Sequence, residues 1–208
     1  MSDPTFHIET PRLYVSYLIP ENDAHCDLLV ELYNTPEYLA NNGKTSITTR
    51  EAARKTIAGR YREEHARNGF GIYLVSLKGD HQAEDKLASS TPIGTVSMMK
   101  GQEPNCYAAP DLGFAMLSEH MRKGYAKEAS QALINWYETE RGVKDVLGLH
   151  DPKNTASSAV FRSLGFRDRG LRELKVFGGV IGQVWTKPDM AEDLSVYGLP
   201  SEEAKPKH

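Results

Sequence analysis

Only two cysteines, Cys26 and Cys106, occur in the 208 residues. They lie far apart and lack the close pairing of metal-ligating thiols, so neither a disulfide framework nor a metal centre is expected; reduced thiols of a cytosolic protein are the simplest reading. No run approaches the ~20 continuous apolar residues that span a bilayer, and the start, Met1-Ser-Asp-Pro-Thr-Phe-His7, has neither the basic region nor the apolar core of a secretory signal. A cytoplasmic location, with the nucleus also open, and no membrane partner follow by default. An excess of one charge is missing too. With 25 Lys and Arg against 28 Asp and Glu the net charge is −3, which gives no electrostatic case for nucleic acid. No Gly-Lys-Ser/Thr stands at the spacing of a nucleotide-binding P-loop, and the three-glycine turn of dinucleotide enzymes is absent.

What is present is the composition of a soluble globular chain, 39% hydrophobic and 25% charged, at a length that suits one well-buried domain. We expect that domain over residues 1–190. Beyond it the chain turns polar, and 191–208 reads as a disordered C-terminal tail.

Residues 12–18 alternate and are rich in aromatic and β-branched types, which predicts a first strand ended by Pro20. A short helix with Leu28, Leu29, Leu32 and Tyr33 on its apolar face should end at Asn34-Thr-Pro36, because proline disfavours helix at the preceding residue. Thr48 with Glu51 forms a capping box for a second helix carrying Ala52, Ile57 and Tyr61. Gly69 and Gly71 break it. Ile72–Leu77 and Pro92–Met98 then read as a hairpin whose loop, Lys78 to Ser90, is long and polar. After a link from Gly101 to Pro110, a strand runs from Asp111 to Leu117. A helix over Tyr125 to Arg141, with Leu133, Trp136 and Tyr137 as core positions, ends at Gly142, and Val146 to His150 is a strand. Asp151 to Asn154 turns into a helix with a stripe of Ala156, Val160 and Leu164, and two strands close the domain, from Phe166 and over Val180 to Thr186. This order predicts a mixed α/β (α+β) fold: a central, mostly antiparallel sheet of about seven strands flanked by helices.

The chemistry concentrates at Leu117 to Ala129. There a strand meets a glycine loop and a helix start, whose first amides lack intrahelical partners and face the positive end of the helix dipole, an arrangement suited to a phosphate or pyrophosphate. Gly124 removes a side chain that would hold an anion away, and Arg122, Lys123 and Lys127 add positive charge.

Three features coincide in order: Met121-Arg-Lys-Gly124-Tyr-Ala126 opening one helix, Asn154-Thr-Ala-Ser157 opening the next, and Leu164-Gly165-Phe166 ending it. With Glu9-Thr-Pro-Arg12-Leu13 at the start, they resemble the GNAT acetyltransferases, most closely the branch of bacterial ribosomal-protein alanine acetyltransferases, over roughly residues 8–188. The resemblance implies the GNAT fold, splayed at its fourth and fifth strands, and acetyl-coenzyme A as cosubstrate, with no metal. It implies that the backbone amides of Arg122, Lys123, Gly124, Tyr125 and Ala126 hold the pyrophosphate, with Met121 and Lys127 also among the cofactor-binding residues. Phe114, Ala115, Met116 and Leu117 would line the pantetheine arm, and Asn154, Ser157 and Phe161 would contact the cofactor from the next helix. Two positions depart from the pattern. Met121 stands where the loop often begins with glutamine or arginine, and Phe161 replaces a tyrosine that serves many members as acid for the leaving thiolate. The resemblance implies Ser157 in that role.

Acetyl transfer needs a neutral amine, a polarised thioester carbonyl and a proton for the departing thiolate. As base for the ammonium, Asp111, Glu173, His120 and His150 stand as candidates. Each has a plainer reading: a loop end for Asp111, a surface ion pair for Glu173 among Arg169, Arg172 and Lys175, a solvated loop residue for His120, and a hydrogen-bonded strand end for His150. Ser157 could equally make a purely local hydrogen bond. The expected reaction is direct transfer to a primary amine, on a protein N-terminus or a small molecule, in a ternary complex; a coenzyme-A-binding sensor or scaffold without catalysis is the other reading. The acceptor would be set by the first two helices, the 78–90 insertion and the last hairpin. A monomer and a homodimer both fit.

Overall fold

The computed structural model describes residues 3–79 and 83–204. Eight strands form one sheet: β1 (His7–Glu9), β2 (Leu13–Tyr17), β3 (Ile72–Leu77), β4 (Thr91–Met99), β5 (Asp111–Met116), β6 (Leu147–His150), β7 (Arg167–Leu174) and β8 (Val180–Thr186), in the order β1-β2-β3-β4-β5-β6-β8-β7. One more strand is present than the sequence predicts, because His7–Glu9 pairs with Tyr14–Ser16. Every neighbouring pair is antiparallel except β5 and β6. The helices are α1 (Asp23–Tyr33), α2 (Pro36–Asn42), α3 (Arg50–Thr56), α4 (Arg62–Asn68), α5 (Tyr125–Arg141) and α6 (Thr155–Ser163), with a π-helical stretch, Ile57–Tyr61, joining α3 to α4.

Side-chain alternation along the strands sends apolar groups to both faces. On one face Val75, Val96, Leu112 and Met116 pack against Leu133, Ile134 and Tyr137 of α5 and Phe161 of α6. On the other, Leu74 packs under Leu29 and Leu32 of α1 together with Ile57 and Tyr61. A third cluster covers the β6-β8-β7 part of the sheet, where Leu147, Leu149, Leu174 and Val184 meet Met190, Leu194, Tyr197 and Leu199.

That third cluster overturns the expectation of a disordered tail. Leu194 is 2% exposed and Leu199 3%, and the segment is tied down by polar contacts. Ala108 N–H donates to Tyr197 O at 3.0 Å, Ala204 N–H to Leu171 O at 2.8 Å, and Arg172 Nε to Pro200 O at 3.0 Å. The stretch is polar on average, yet its few apolar residues are the ones that reach the sheet. Residues 205–208 lie outside the described residues, as do 80–82 of the expected insertion.

Three local expectations are corrected. Pro36 begins a helix rather than only closing one: Thr35 caps α2, accepting from Tyr38 N–H at 3.2 Å, and proline at the first turn needs no N–H partner. The cap of α3 is Thr49, which accepts from Ala52 N–H at 3.2 Å, while Glu51 pairs with Arg54 instead of the backbone; the buried alanine is accordingly Ala53 and not Ala52. In α6 the expected stripe fails. Ala156 is exposed and Val160 and Leu164 only half-buried, because the helix meets the sheet through Phe161, 1% exposed. Among the described residues no helix is long and apolar enough to cross a membrane.

Candidate active site

The registered pairing of β5 with β6 is confined to Asp111 and Leu147, where Leu147 N–H also donates to Pro110 O at 2.9 Å. Beyond that point the two strands diverge. Being parallel, they end on the same side, so the helices that follow them, α5 and α6, start beside one another at the open end of the split. Their connections are short and pinned. A 3-10 turn, Ser118–His120, leads towards α5, and Asp151 Oδ1 accepts from Lys153 N–H at 2.8 Å in the turn before α6.

The loop into α5 is wound through unusual backbone. Arg122 sits at φ 58° and Gly124 at φ 81°, and a left-handed non-glycine residue costs ~1–2 kcal/mol, which surrounding contacts must offset. From Arg122 to Lys127 the backbone N–H groups have no backbone acceptor among the described residues, the first bond of the helix running from Glu128 N–H to Gly124 O at 3.0 Å. Arg122, Lys123 and Lys127 are exposed around these donors, as is Met121, while Tyr125 and Ala126 are half-buried. Gly124 supplies the positive φ of the loop, and a Cβ there would reach only ordinary contact, 3.4 Å, with Arg12 Nη2.

At the head of α6, Asn154 Oδ1 accepts from Ser157 N–H at 3.0 Å, which makes Asn154 the helix cap. The half-buried Ser157 hydroxyl makes no hydrogen bond among the described residues, so the purely local bond is not found. Phe114 and Ala115 are half-buried on β5, while Met116 and Leu117 point into the core at 5% exposure each. The Leu117 amide is already engaged with Ile93 O at 2.9 Å.

Phe161 is corrected from cofactor contact to core. Its ring lies nearly parallel to His150, 9° at 5.8 Å, and to Trp185, 15° at 6.0 Å, and meets Phe166 at 5.4 Å, which leaves no accessible face. His150 is likewise spoken for. One ring nitrogen, Nδ1, faces Asp151 O at 2.8 Å, so Nε2 accepts from the Trp185 indole at 2.9 Å; burial, partly countered by Asp151, lowers its pKa. Its plainer reading as a hydrogen-bonded strand end is the one the contacts describe.

Asp111 lies at the wrong end. It opens β5 where that strand is still paired with β6, about 17 Å along the strand from Met116 at ~3.3 Å per residue. Desolvation, opposed by a bond from its own amide and reinforced by Glu64, raises its pKa to about 7. The fold therefore favours the neutral acid, so this group's stabilising contribution is full below about pH 3.8 and is lost as pH rises through about 7. Asp111→Asn should stabilise the protein at pH 8 by about 1–3 kcal/mol and have little effect near pH 4. Denaturant midpoints of both proteins across that range test this; a pH-independent difference would refute it.

Glu173 is exposed and, among the described residues, forms no ion pair. Arg169 pairs with Glu192 instead, and Arg172 turns to Pro200 O. Since Leu174 points into the C-terminal cluster, alternation puts Glu173 on the α6 face, level with Ile181 near the β6 terminus. His120 is not simply solvated. Its side chain is 17% exposed, and its Nδ1 is buried without a partner among the described residues. Among those residues no cluster of three His, Cys, Asp or Glu could hold a metal.

Sequence reasoning missed one group beside the loop, Thr10, Arg12 and Glu128, which are joined by hydrogen bonds and an ion pair. Arg12 stood in a matching segment, yet nothing local ties it to a helix more than a hundred residues later.

The acetyltransferase (GNAT) domain family model matches residues 16–167. The uncharacterized N-acetyltransferase YjdG of Bacillus subtilis (strain 168) is 38% identical over 98 residues, 47% of this chain and 52% of the relative, so the match spans about half that protein's length. The ribosomal-protein-S5-alanine acetyltransferase from Vibrio fischeri shares the fold at TM-score 0.66 and 19% identity, over 88% of this chain and 96% of that one. The microcin C7 self-immunity acetyltransferase MccE, solved with acetyl-CoA and AMP, does so at 0.65 and 14%, over 86% and 93%.

Proposed function

The chain belongs to the GNAT acetyltransferase family, and on that premise we propose that it transfers an acetyl group directly from acetyl-CoA to a primary amine in a ternary complex. The observation that carries this reading is the run of amides from Arg122 to Lys127 without a backbone partner among the described residues, at the start of a 17-residue helix set where the sheet's parallel pair opens.

The residues present suit the cosubstrate. A pyrophosphate is satisfied by converging N–H donors and the helix dipole, with Arg122, Lys123 and Lys127 as mobile counter-charges. The pantetheine arm fits along Phe114, Ala115, Met116 and Leu117 on the side of β5 turned towards β6, where no pairing with β6 is registered among the described residues beyond Asp111; the Leu117 amide itself is held by β4, and Asn154 closes the far side. Acetyl-CoA supplies an acyl group already activated as a thioester, so no enzyme nucleophile is required.

The chain's own part is to place the amine, accept its proton and return one to the sulfur. Ser157, half-buried at the head of α6 with a hydroxyl that makes no hydrogen bond among the described residues, is the proton donor in this reading. Of the four bases considered, Asp111 lies at the far end of β5 and the His150 lone pair is taken by Trp185. Glu173 and His120 remain, one exposed on the α6 side and the other in the loop itself. In this reading the acceptor is a protein N-terminus or a small-molecule amine, chosen by α1, the stretch from α3 to α4, the 78–90 insertion and the β7–β8 hairpin.

Thiol release from acetyl-CoA, measured against a panel of N-terminal peptides and small amines, tests the activity; tight binding without turnover on any acceptor would leave a coenzyme-A-binding protein instead. Given an active acceptor, Ser157→Ala should lower kcat at least tenfold, about 1.4 kcal/mol, with acetyl-CoA affinity nearly unchanged. A kcat within about twofold of wild type, under ~0.5 kcal/mol, removes Ser157 from the proton transfer.

A further inference from the structure

The turn between β1 and β2 reaches across to α5 through one arginine. Pro11 and the Thr10 hydroxyl, to which Leu13 N–H donates at 2.9 Å, fix the backbone there. From that fixed base Arg12 makes two sets of contacts. Its Nε and Nη2 donate to Glu128 Oε2 at 2.7 and 2.6 Å, and its Nη1 donates to the Lys123 carbonyl at 3.0 Å. The guanidinium also lies 4.5 Å from the centre of the Tyr125 ring.

Glu128 is held as firmly from its own side. Its Oε1 accepts from the Thr10 hydroxyl at 2.7 Å and from Arg12 N–H at 3.0 Å. Burial alone would raise its pKa, but the Thr10 hydroxyl and the Arg12 amide and guanidinium outweigh that and lower it. The carboxylate is thus turned to the β1–β2 side, away from an anion bound at the helix start.

The contact with Lys123 O decides where an amide points. In a trans peptide the C=O of one residue and the N–H of the next point in opposite directions. Drawing the Lys123 carbonyl towards Arg12 therefore aims Gly124 N–H away from the β1–β2 edge. It also removes a carbonyl oxygen that, between two left-handed residues, could otherwise turn inward and repel a phosphate.

We propose that Arg12 is a positioning residue that sets the orientation of the pyrophosphate-binding amides through the Lys123 carbonyl, with Glu128 as its anchor. This rests on the reading of those amides given above. A lysine cannot replace it, because a single ammonium lacks the fork needed to hold the carboxylate and the carbonyl together.

The test measures binding of acetyl-CoA and of S-acetylpantetheine, which carries the same thioester without the pyrophosphate, to the full-length protein by calorimetry. Arg12→Ala should weaken acetyl-CoA about tenfold and S-acetylpantetheine less than twofold; Arg12→Lys should behave like the alanine variant, and guanidinium chloride below denaturing concentration should restore affinity to Arg12→Ala but not change the wild type. Arg12→Gln, which keeps most of the side-chain stem, serves if the alanine variant folds poorly. If wild type prefers acetyl-CoA and the Arg12 variants keep that full preference, the positioning role is overturned while the amide site stands. If wild type itself binds both thioesters alike, the amide site fails, and the role of Arg12 with it.

Discussion

Ending the chain at Asp189 is expected to abolish cooperative folding. The cut removes Met190, Leu194, Tyr197 and Leu199, each no more than 7% exposed, and uncovers Leu147, Leu149, Leu174 and Val184 beneath them. At ~1.5–3 kcal/mol for each buried large side chain, the removed contacts amount to roughly 6–12 kcal/mol as an upper bound, comparable with the whole stability of a typical domain, ~5–15 kcal/mol. The bared strands would also favour aggregation. A disordered tail would predict the opposite, a silent truncation. Thermal unfolding followed by circular dichroism separates the two: a midpoint within about 2 °C of the full-length protein would sink the claim that this segment is part of the core.

Phe161→Ala should cost about 3–5 kcal/mol. The ring fills the space between α6 and the sheet, with His150 and Trp185 alongside it and Phe114 and Phe166 around it. Its seat depends on Gly148, where any Cβ would overlap the ring. Removing it leaves a cavity lined by aromatic groups that other contacts hold in place, among them the Trp185–His150 hydrogen bond, so little collapse is possible. For a domain of this size the midpoint should fall by roughly 6–20 °C. At temperatures where the variant stays folded, acetyl-CoA affinity should be nearly unchanged. A variant that melts like wild type but binds acetyl-CoA poorly would return Phe161 to the cofactor site.

Much of this molecule was legible before its structure. The α5 boundaries, Tyr125 to Arg141 with a left-handed Gly142 behind them, follow from local signals that tertiary contacts have no reason to override. The loop at Arg122 to Ala126 was legible for the same reason, since a glycine and a helix start are both short-range features. What escaped depends on partners distant in sequence. The polar stretch after Pro188 gave no sign that a bare β6-β8 surface awaited its few apolar residues. Asp111 looked well placed because it begins the strand that leads to the loop, but a strand has two ends, and only the pairing with β6 shows which one opens. Arg12 meets its helix through the sheet, and the α6 stripe was misread by one residue because a nine-residue helix touching a sheet at one ring has no true periodicity to read.

The two borders of the sheet set limits on how copies of the chain can join. β1 is three residues long, too short to seed an added strand. β7 is rich in charge, Arg167 and Arg169 are paired with Glu192, and the amide of Ala204 already occupies the Leu171 carbonyl along it. Short, charged and covered edges are how proteins refuse intermolecular strand addition. Neither border therefore favours pairing with a second copy's strand, which leaves the helix surfaces as the faces through which copies of the chain would more readily join.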